Sequence, residues 1–144
     1  MSTDYTTTFT VPQPPAHVFA AINDPRGWWD GDITGTTDRL GAEFTYRYGR
    51  MHTSVQRVAE LVPDERVVWD VVSSTLTFVD EPEPWTGTRI AFDLEPVEGG
   101  TRVTLVHEGL VPALECFDQC SLGWDHAAGR SLREFIATGQ GVRF

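Results

Sequence analysis

The residues with chemical potential are few, and most fall in the last third of the chain. His107 closes the alternating run Val103, Leu105, His107, where an imidazole with a pKa near neutrality could move a proton or simply be held by hydrogen bonds. Glu108 points to the opposite face of a regular strand, so the adjacent pair does not make a dyad. Cys116 and Cys120 stand four residues apart, with Glu115 beside them and His107 one loop upstream. On one helical face these thiols could bind a soft metal or sense oxidation. The set falls short of a four-ligand zinc site, so reduced thiols, no metal and no cofactor are expected. Arg47, Arg57 and Arg89 lie on expected strands, where an inward guanidinium could clamp a carboxylate and an outward one is solvated. No Ser-His-Asp arrangement is signalled. All 11 basic residues are arginine, which closes Schiff-base, P-loop and general-base chemistry that needs lysine.

Apolar recognition is the other chemistry the residue types allow. Phe44, Tyr46 and Tyr48 alternate with Thr45 and Arg47, giving a strand with one aromatic face. Trp69 and Phe92 belong on inward faces of later strands, opposite Trp124 and Phe135 of a C-terminal helix. These rings could line a pocket or fill a core, and the two tyrosine hydroxyls point to a partly polar cavity. Trp28 and Trp29 cannot both face one core from a regular strand, so one is expected at the cavity mouth or the surface. The expected ligand-contacting set is Trp28, Phe44, Tyr46, Tyr48, Trp69, Phe92, His107, Cys120 and Trp124.

Positioning such a set requires a particular order of elements. Tyr5, Thr7, Phe9 and Val11 alternate with Thr6, Thr8 and Thr10 as a first strand. Pro14-Pro15 starts a short helix through Val18, Phe19 and Ile22, which Asn23-Asp24-Pro25 ends. A Gly/Asp-rich turn leads to the aromatic strand, with Gly49-Arg50 at its hairpin tip. A strand from Met51 to Val62 and a β-branched run through Val67, Val68, Trp69, Val71 and Val72 continue an antiparallel meander. Thr75 to Val79 reads as a further short strand before an acidic loop around Asp80, Glu81 and Glu83. Arg89 to Leu94 and Thr101 to His107 flank a Gly99-Gly100 turn. From Pro112 onward Cys116, Cys120, Trp124, Ala128, Ser131 and Phe135 mark one stripe of a long helix, with Gly139 as its stop and Gly123 and Gly129 inviting a bend.

The chain has 144 residues, 40% apolar and 22% charged, which predicts a single domain over residues 1–144 with a proper core. Its net charge of −10 opposes a phosphate backbone, so no nucleic-acid partner is expected. No apolar run approaches a membrane span and no secretory signal is visible, so a cytoplasmic protein without a membrane role is expected. The order of elements describes an α+β architecture in which an antiparallel sheet wraps one long helix and leaves a pocket between them.

Val18-Phe19-Ala20-Ala21-Ile22, Trp28-Trp29, Gly41-Ala42-Glu43-Phe44, Val67-Val68-Trp69 and Gly99 to Leu105, followed by the terminal helix, resemble the SRPBCC/START-like superfamily. More narrowly they resemble its branch named for the activator of heat-shock protein 90 ATPase homologue. Gly109 to Pro112, Glu115-Cys116, Cys120-Ser121, Trp124, Ser131-Leu132-Arg133 and Thr138 to Gly141 are similar to a bacterial subgroup of that branch. The resemblance implies a helix-grip fold whose cavity serves hydrophobic ligands, polyketide cyclisation or protein contact in different members. The leading reading is non-enzymatic binding of a small, mostly apolar molecule between sheet and C-terminal helix. One alternative is a cyclase- or hydratase-type enzyme in which His107 and Tyr46 handle protons. Another is a protein-interaction or co-chaperone-like module, including a homodimer built on an exposed Trp28 or Trp29.

Overall fold

The computed structural model describes residues 4–80 and 83–142. β1 (Tyr5–Val11), α1 (Pro15–Ile22) and a short helical turn (Pro25–Gly27) precede β2 (Asp32–Gly35) and β3 (Glu43–Tyr48). β4 (His52–Val62), β5 (Arg66–Leu76), β6 (Arg89–Val97) and β7 (Gly100–Glu108) complete the sheet. The C-terminal helix is continuous in three parts: α2 (Phe117–His126), a π-helical segment (Ala127–Leu132) and α3 (Arg133–Thr138).

The strands run in the order β1-β7-β6-β5-β4-β3-β2, antiparallel throughout. β1 and β2 therefore hold opposite edges, and α1 carries the chain between them, packing on β5, β6 and β7. In β1 the alternation buries Tyr5, Phe9 and Val11 and exposes Thr6, Thr8 and Thr10. Two register shifts between β4 and β5, at Val55/Gln56 and Val58/Glu60, are bulges of the kind that bend a sheet around whatever lies on its concave face. Strand arginines stay outside: Arg57 pairs with Glu43 at 2.9 Å and Arg89 with Asp70 at 2.9 Å, all part-exposed, and Arg47 is exposed.

Several local expectations differ from the structure. β2 occupies part of the stretch expected as a turn, and its short length leaves too little alternation to read. Thr75 and Leu76 end β5, so no separate strand forms before the acidic loop. In that loop Asp80 and Glu83 are described and Glu81 lies outside the described residues. The β6–β7 turn is Glu98-Gly99, with Val97 opposite Gly100. Gly100 belongs to β7, where a Cβ would collide with the Val11 carbonyl oxygen. Both Trp28 and Trp29 are buried, at 0% and 4% exposure. The alternation rule does not govern them, because Trp28 follows the helical turn with φ −136 and ψ −24 instead of a strand conformation.

The C-terminal stripe explains the π-helical segment. Steps of four residues from Cys116 to Ala128 lag an ideal helix by roughly 40° each, and a wider turn lets Ala127, Ala128, Ser131 and Leu132 all stay buried. Ser131 Oγ donates to Trp28 O at 2.6 Å and accepts from Val142 N at 2.9 Å, tying helix, turn and tail together. Gly139 stops the helix with φ 83, the left-handed conformation glycine adopts without cost.

Candidate functional site

A cavity of about 680 Å³ lies between the β3–β4 hairpin, α2 and the loop after β5. Tyr46 and Tyr48 reach it from β3 because both sit on the same strand face, and His52 enters from the start of β4. Cys120, Gly123 and Trp124 reach it from α2, Trp29 from behind the helical turn, and Phe78 and Trp85 from the loop. Met51 and Leu122, 49% and 68% exposed, mark its mouth, and Asp30 and Gln119 complete the lining.

The walls are stacked rings. Trp29 lies on Tyr46 with centroids 3.9 Å apart and on Trp124 at 5.2 Å, while Trp85 and Trp124 are nearly parallel at 5.9 Å and 8°. Rings stacked at these separations pack on one another and make the wall one continuous apolar surface. Behind this wall Trp28, Trp69, Phe44 and Phe92 pack on one another, for example Phe44 edge-on to Trp69 at 5.0 Å.

Of the sequence-expected set, the cavity gathers Tyr46, Tyr48, Cys120 and Trp124. Trp28, Phe44, Trp69 and Phe92 stand one layer deeper, closed off by Trp29, and do not line it. His107 is also behind the wall, fully buried. The indole Nε1–H of Trp124 donates to its Nδ1 at 3.0 Å, which fixes the proton of the neutral ring on Nε2. Nε2–H donates to Thr88 Oγ1 at 2.8 Å, and Thr88 Oγ1 donates to Trp85 O at 2.6 Å. Both ring nitrogens are thus committed, and burial together with nearby His52 pushes the pKa of His107 down to about 3. The proton-transfer role expected of His107 has no geometry here; the residue positions the two tryptophans of the wall.

Trp85 is the largest omission of the sequence reading. It follows directly on the acidic loop around Asp80 and Glu83, and it is 4% exposed. Its N–H donates to Ser74 Oγ at 3.1 Å, and its indole N–H donates to Cys120 Sγ at 3.4 Å. Asp80 N–H donates to the Glu115 carboxylate at 3.0 Å, so the glutamate considered as a metal or redox partner fastens this loop instead. A tryptophan amid prolines and acids was the available signal. Cys116 and Cys120 are buried and outside any disulfide, and hydrogen bonding to Cys116 and burial push the Cys120 thiol far up, away from the reactive thiolate. Among the described residues no group of three or more His, Cys, Asp or Glu is placed to hold a metal ion.

His52 was also missed, being one polar residue in a strand that lacks apolar alternation. It belongs to an inward polar row of His52, Ser54 and Gln56. His52 Nε2 lies 2.9 Å from Ser54 Oγ, which also accepts from Gln56 Nε2 at 2.5 Å. Burial lowers the pKa of His52 to about 4, so the ring is neutral at pH 7.

Solved structures share this architecture. "Solution structure of the Aha1 dimer from Colwellia psychrerythraea" superposes with a TM-score of 0.77 at 24% identity over 97% of this chain and all of that one. DynU16, a putative protein in the dynemicin biosynthetic locus, gives 0.72 at 21% identity over 100% of this chain and 51% of that chain. CalU16 from Micromonospora echinospora gives 0.65 at 16% over 92% of this chain and 74% of that one. These likenesses establish the helix-grip fold. No curated protein matches the chain in sequence. A family model does, over residues 12–137. That span begins just after β1, ends within α3 and takes in every residue lining the cavity, and the chain belongs to the Activator of Hsp90 ATPase homolog 1-like protein family.

Proposed function

We propose that the chain is a single cytoplasmic binding domain that holds a small, mostly apolar molecule in the cavity between the sheet and α2, without chemical conversion. The observation that carries this is the cavity itself: about 680 Å³ walled by Trp29, Tyr46, Trp85 and Trp124, within the range of small-molecule sites. Tyr48 and Cys120 extend the same wall. The fold of the family, which hosts ligand-binding and polyketide cyclase-like proteins, supports a ligand role in general terms. Against conversion stands His107, sealed behind Trp124 with both nitrogens bonded. A homodimer is supported by the dimeric Aha1 homologue; buried Trp28 and Trp29 do not supply its surface.

Gly123 provides the test. It lines the cavity, and a Cβ added there meets nothing within 4 Å. Gly123→Leu fills the space and replaces a helical glycine, a gain of about 1 kcal/mol. The expected result is a variant that melts higher than wild type but has lost both the adduct seen by native mass spectrometry and the thermal shift with a panel of lipids and aromatics. Wild-type protein with neither adduct nor shift, or a variant that keeps the wild-type response, overturns the proposal.

A further inference from the structure

The cavity is apolar on its walls but not at its inner edge. Three successive inward positions of β4, His52, Ser54 and Gln56, are polar, and Ser54 stands opposite Ser74 of β5. Ser54 and Gln56 are buried at the sheet, and His52 faces the cavity. Polar groups in such a place are expensive unless they serve one another or a guest.

The hydrogen-bond direction along the row can be worked out. Gln56 Nε2 is a donor only, so Ser54 Oγ accepts from it and has its own proton to give. Among the described residues its other partner is His52 Nε2; if that nitrogen also donated, the buried Ser54 proton would have no acceptor, so the arrangement that strands no donor has Nε2 accepting. A neutral imidazole that accepts at Nε2 carries its proton on Nδ1. Among the described residues His52 Nδ1 has no hydrogen-bond partner. The ring is held edge-on between Tyr46 and Trp85, at 4.9 and 4.5 Å and 86° and 87° to their planes.

We propose that His52 is the polar determinant of the cavity, presenting Nδ1–H as a directional donor to the acceptor oxygen of a flat, uncharged ligand, with Ser54 and Gln56 as positioning residues. This rests on the cavity being a ligand site. Flatness follows from a lining built of Trp29, Tyr46, Trp85 and Trp124, an apolar surface that a flat ring system covers well. Absence of negative charge in the ligand follows from the lining, which among the described residues contains Asp30 and no arginine, and from the net charge of −10. The fitting class is therefore an aromatic molecule bearing a carbonyl oxygen. A guest whose only polar group is a donor finds no acceptor at this nitrogen.

The probes are acetylnaphthalene and its near-isosteric hydrocarbon isopropylnaphthalene, titrated into wild type, His52→Phe and Ser54→Ala. In wild type the ketone binds roughly five-fold tighter than the hydrocarbon relative to their partition into apolar solvent, as one net hydrogen bond requires. In His52→Phe that preference disappears while the hydrocarbon still binds. Ser54→Ala frees the ring to change tautomer and weakens the preference without removing it. Nitrogen NMR of the unliganded wild type, which needs no variant to fold, shows His52 protonated at Nδ1. A ring protonated at Nε2, or a ketone preference unchanged in His52→Phe, overturns the assignment and leaves the cavity reading standing. If neither probe binds a wild-type protein that the lipid and aromatic panel does shift, the assignment of a flat ketone ligand falls and the cavity reading stands; if the panel fails as well, both fall.

Discussion

His107 illustrates how a residue with catalytic credentials becomes structural through its neighbours. The ring accepts from Trp124 at Nδ1 and donates to Thr88 at Nε2, so a proton added at Nδ1 displaces the indole N–H from its acceptor. His107→Phe keeps the ring that sits edge-on to Trp85 at 4.7 Å but strands the Trp124 N–H, a loss of about 1–3 kcal/mol at pH 7. The pH dependence has a definite sign. A base held at about pKa 3 when folded and about 6.5 when unfolded stabilises fully above pH 6.5 and progressively less down to pH 3. His52, which lowers it, and Asp4, which raises it, are the titratable groups that also act on it through space. Urea unfolding at pH 7 and pH 4.5 should show the gap between wild type and His107→Phe closing by about 2 kcal/mol at the lower pH. A constant gap would mean that folding does not shift the titration of this histidine. The alternation Val103, Leu105, His107 placed this side chain inside from sequence alone. Its partners were not legible, because Thr88 and Trp124 come from a loop and a helix whose approach to β7 no local pattern encodes.

Among the elements, the C-terminal helix depends most on contacts that periodicity cannot see. Its stripe of Cys116, Cys120, Trp124, Ala128 and Ser131 was readable, and so was its stop at Gly139. The π-helical turn was foreshadowed only as a bend at glycine. Two glycines separate packing from propensity here. A Cβ on Gly27 would strike the Phe135 ring, whereas one on Gly129, inside the wide turn, meets nothing within 4 Å. Gly27→Ala should therefore destabilise by about 1–3 kcal/mol, and Gly129→Ala should stabilise by up to about 1 kcal/mol, both from chemical denaturation midpoints. If Gly129→Ala is destabilising instead, the wide turn relies on backbone freedom and not on the burial of its flanking residues. Strands were the more legible elements, since β1, β3, β5 and β7 show alternation or β-branched runs. β4 hid its inner face because three inward positions are polar, and that inversion concealed His52.

Across the molecule, the five tryptophans, Trp28, Trp29, Trp69, Trp85 and Trp124, form one chain of neighbours whose successive ring centroids lie 5.2 to 6.4 Å apart. Sequence suggested aromatic walls and an aromatic core, but it took the tertiary fold to merge them, bringing Trp85 from a loop and Trp29 from a turn. At these separations a photon absorbed by any indole is passed among all of them before it is emitted. The three members at the cavity, Trp29, Trp85 and Trp124, are therefore the drain for the two that no guest can touch. An aromatic ketone that quenches one of them should darken nearly the whole ultraviolet emission of the protein, not three-fifths of it. Stepwise quenching to a bright plateau would show that the deep pair emits on its own. The protein thus carries its own optical gauge of whether the cavity is occupied, with no label attached.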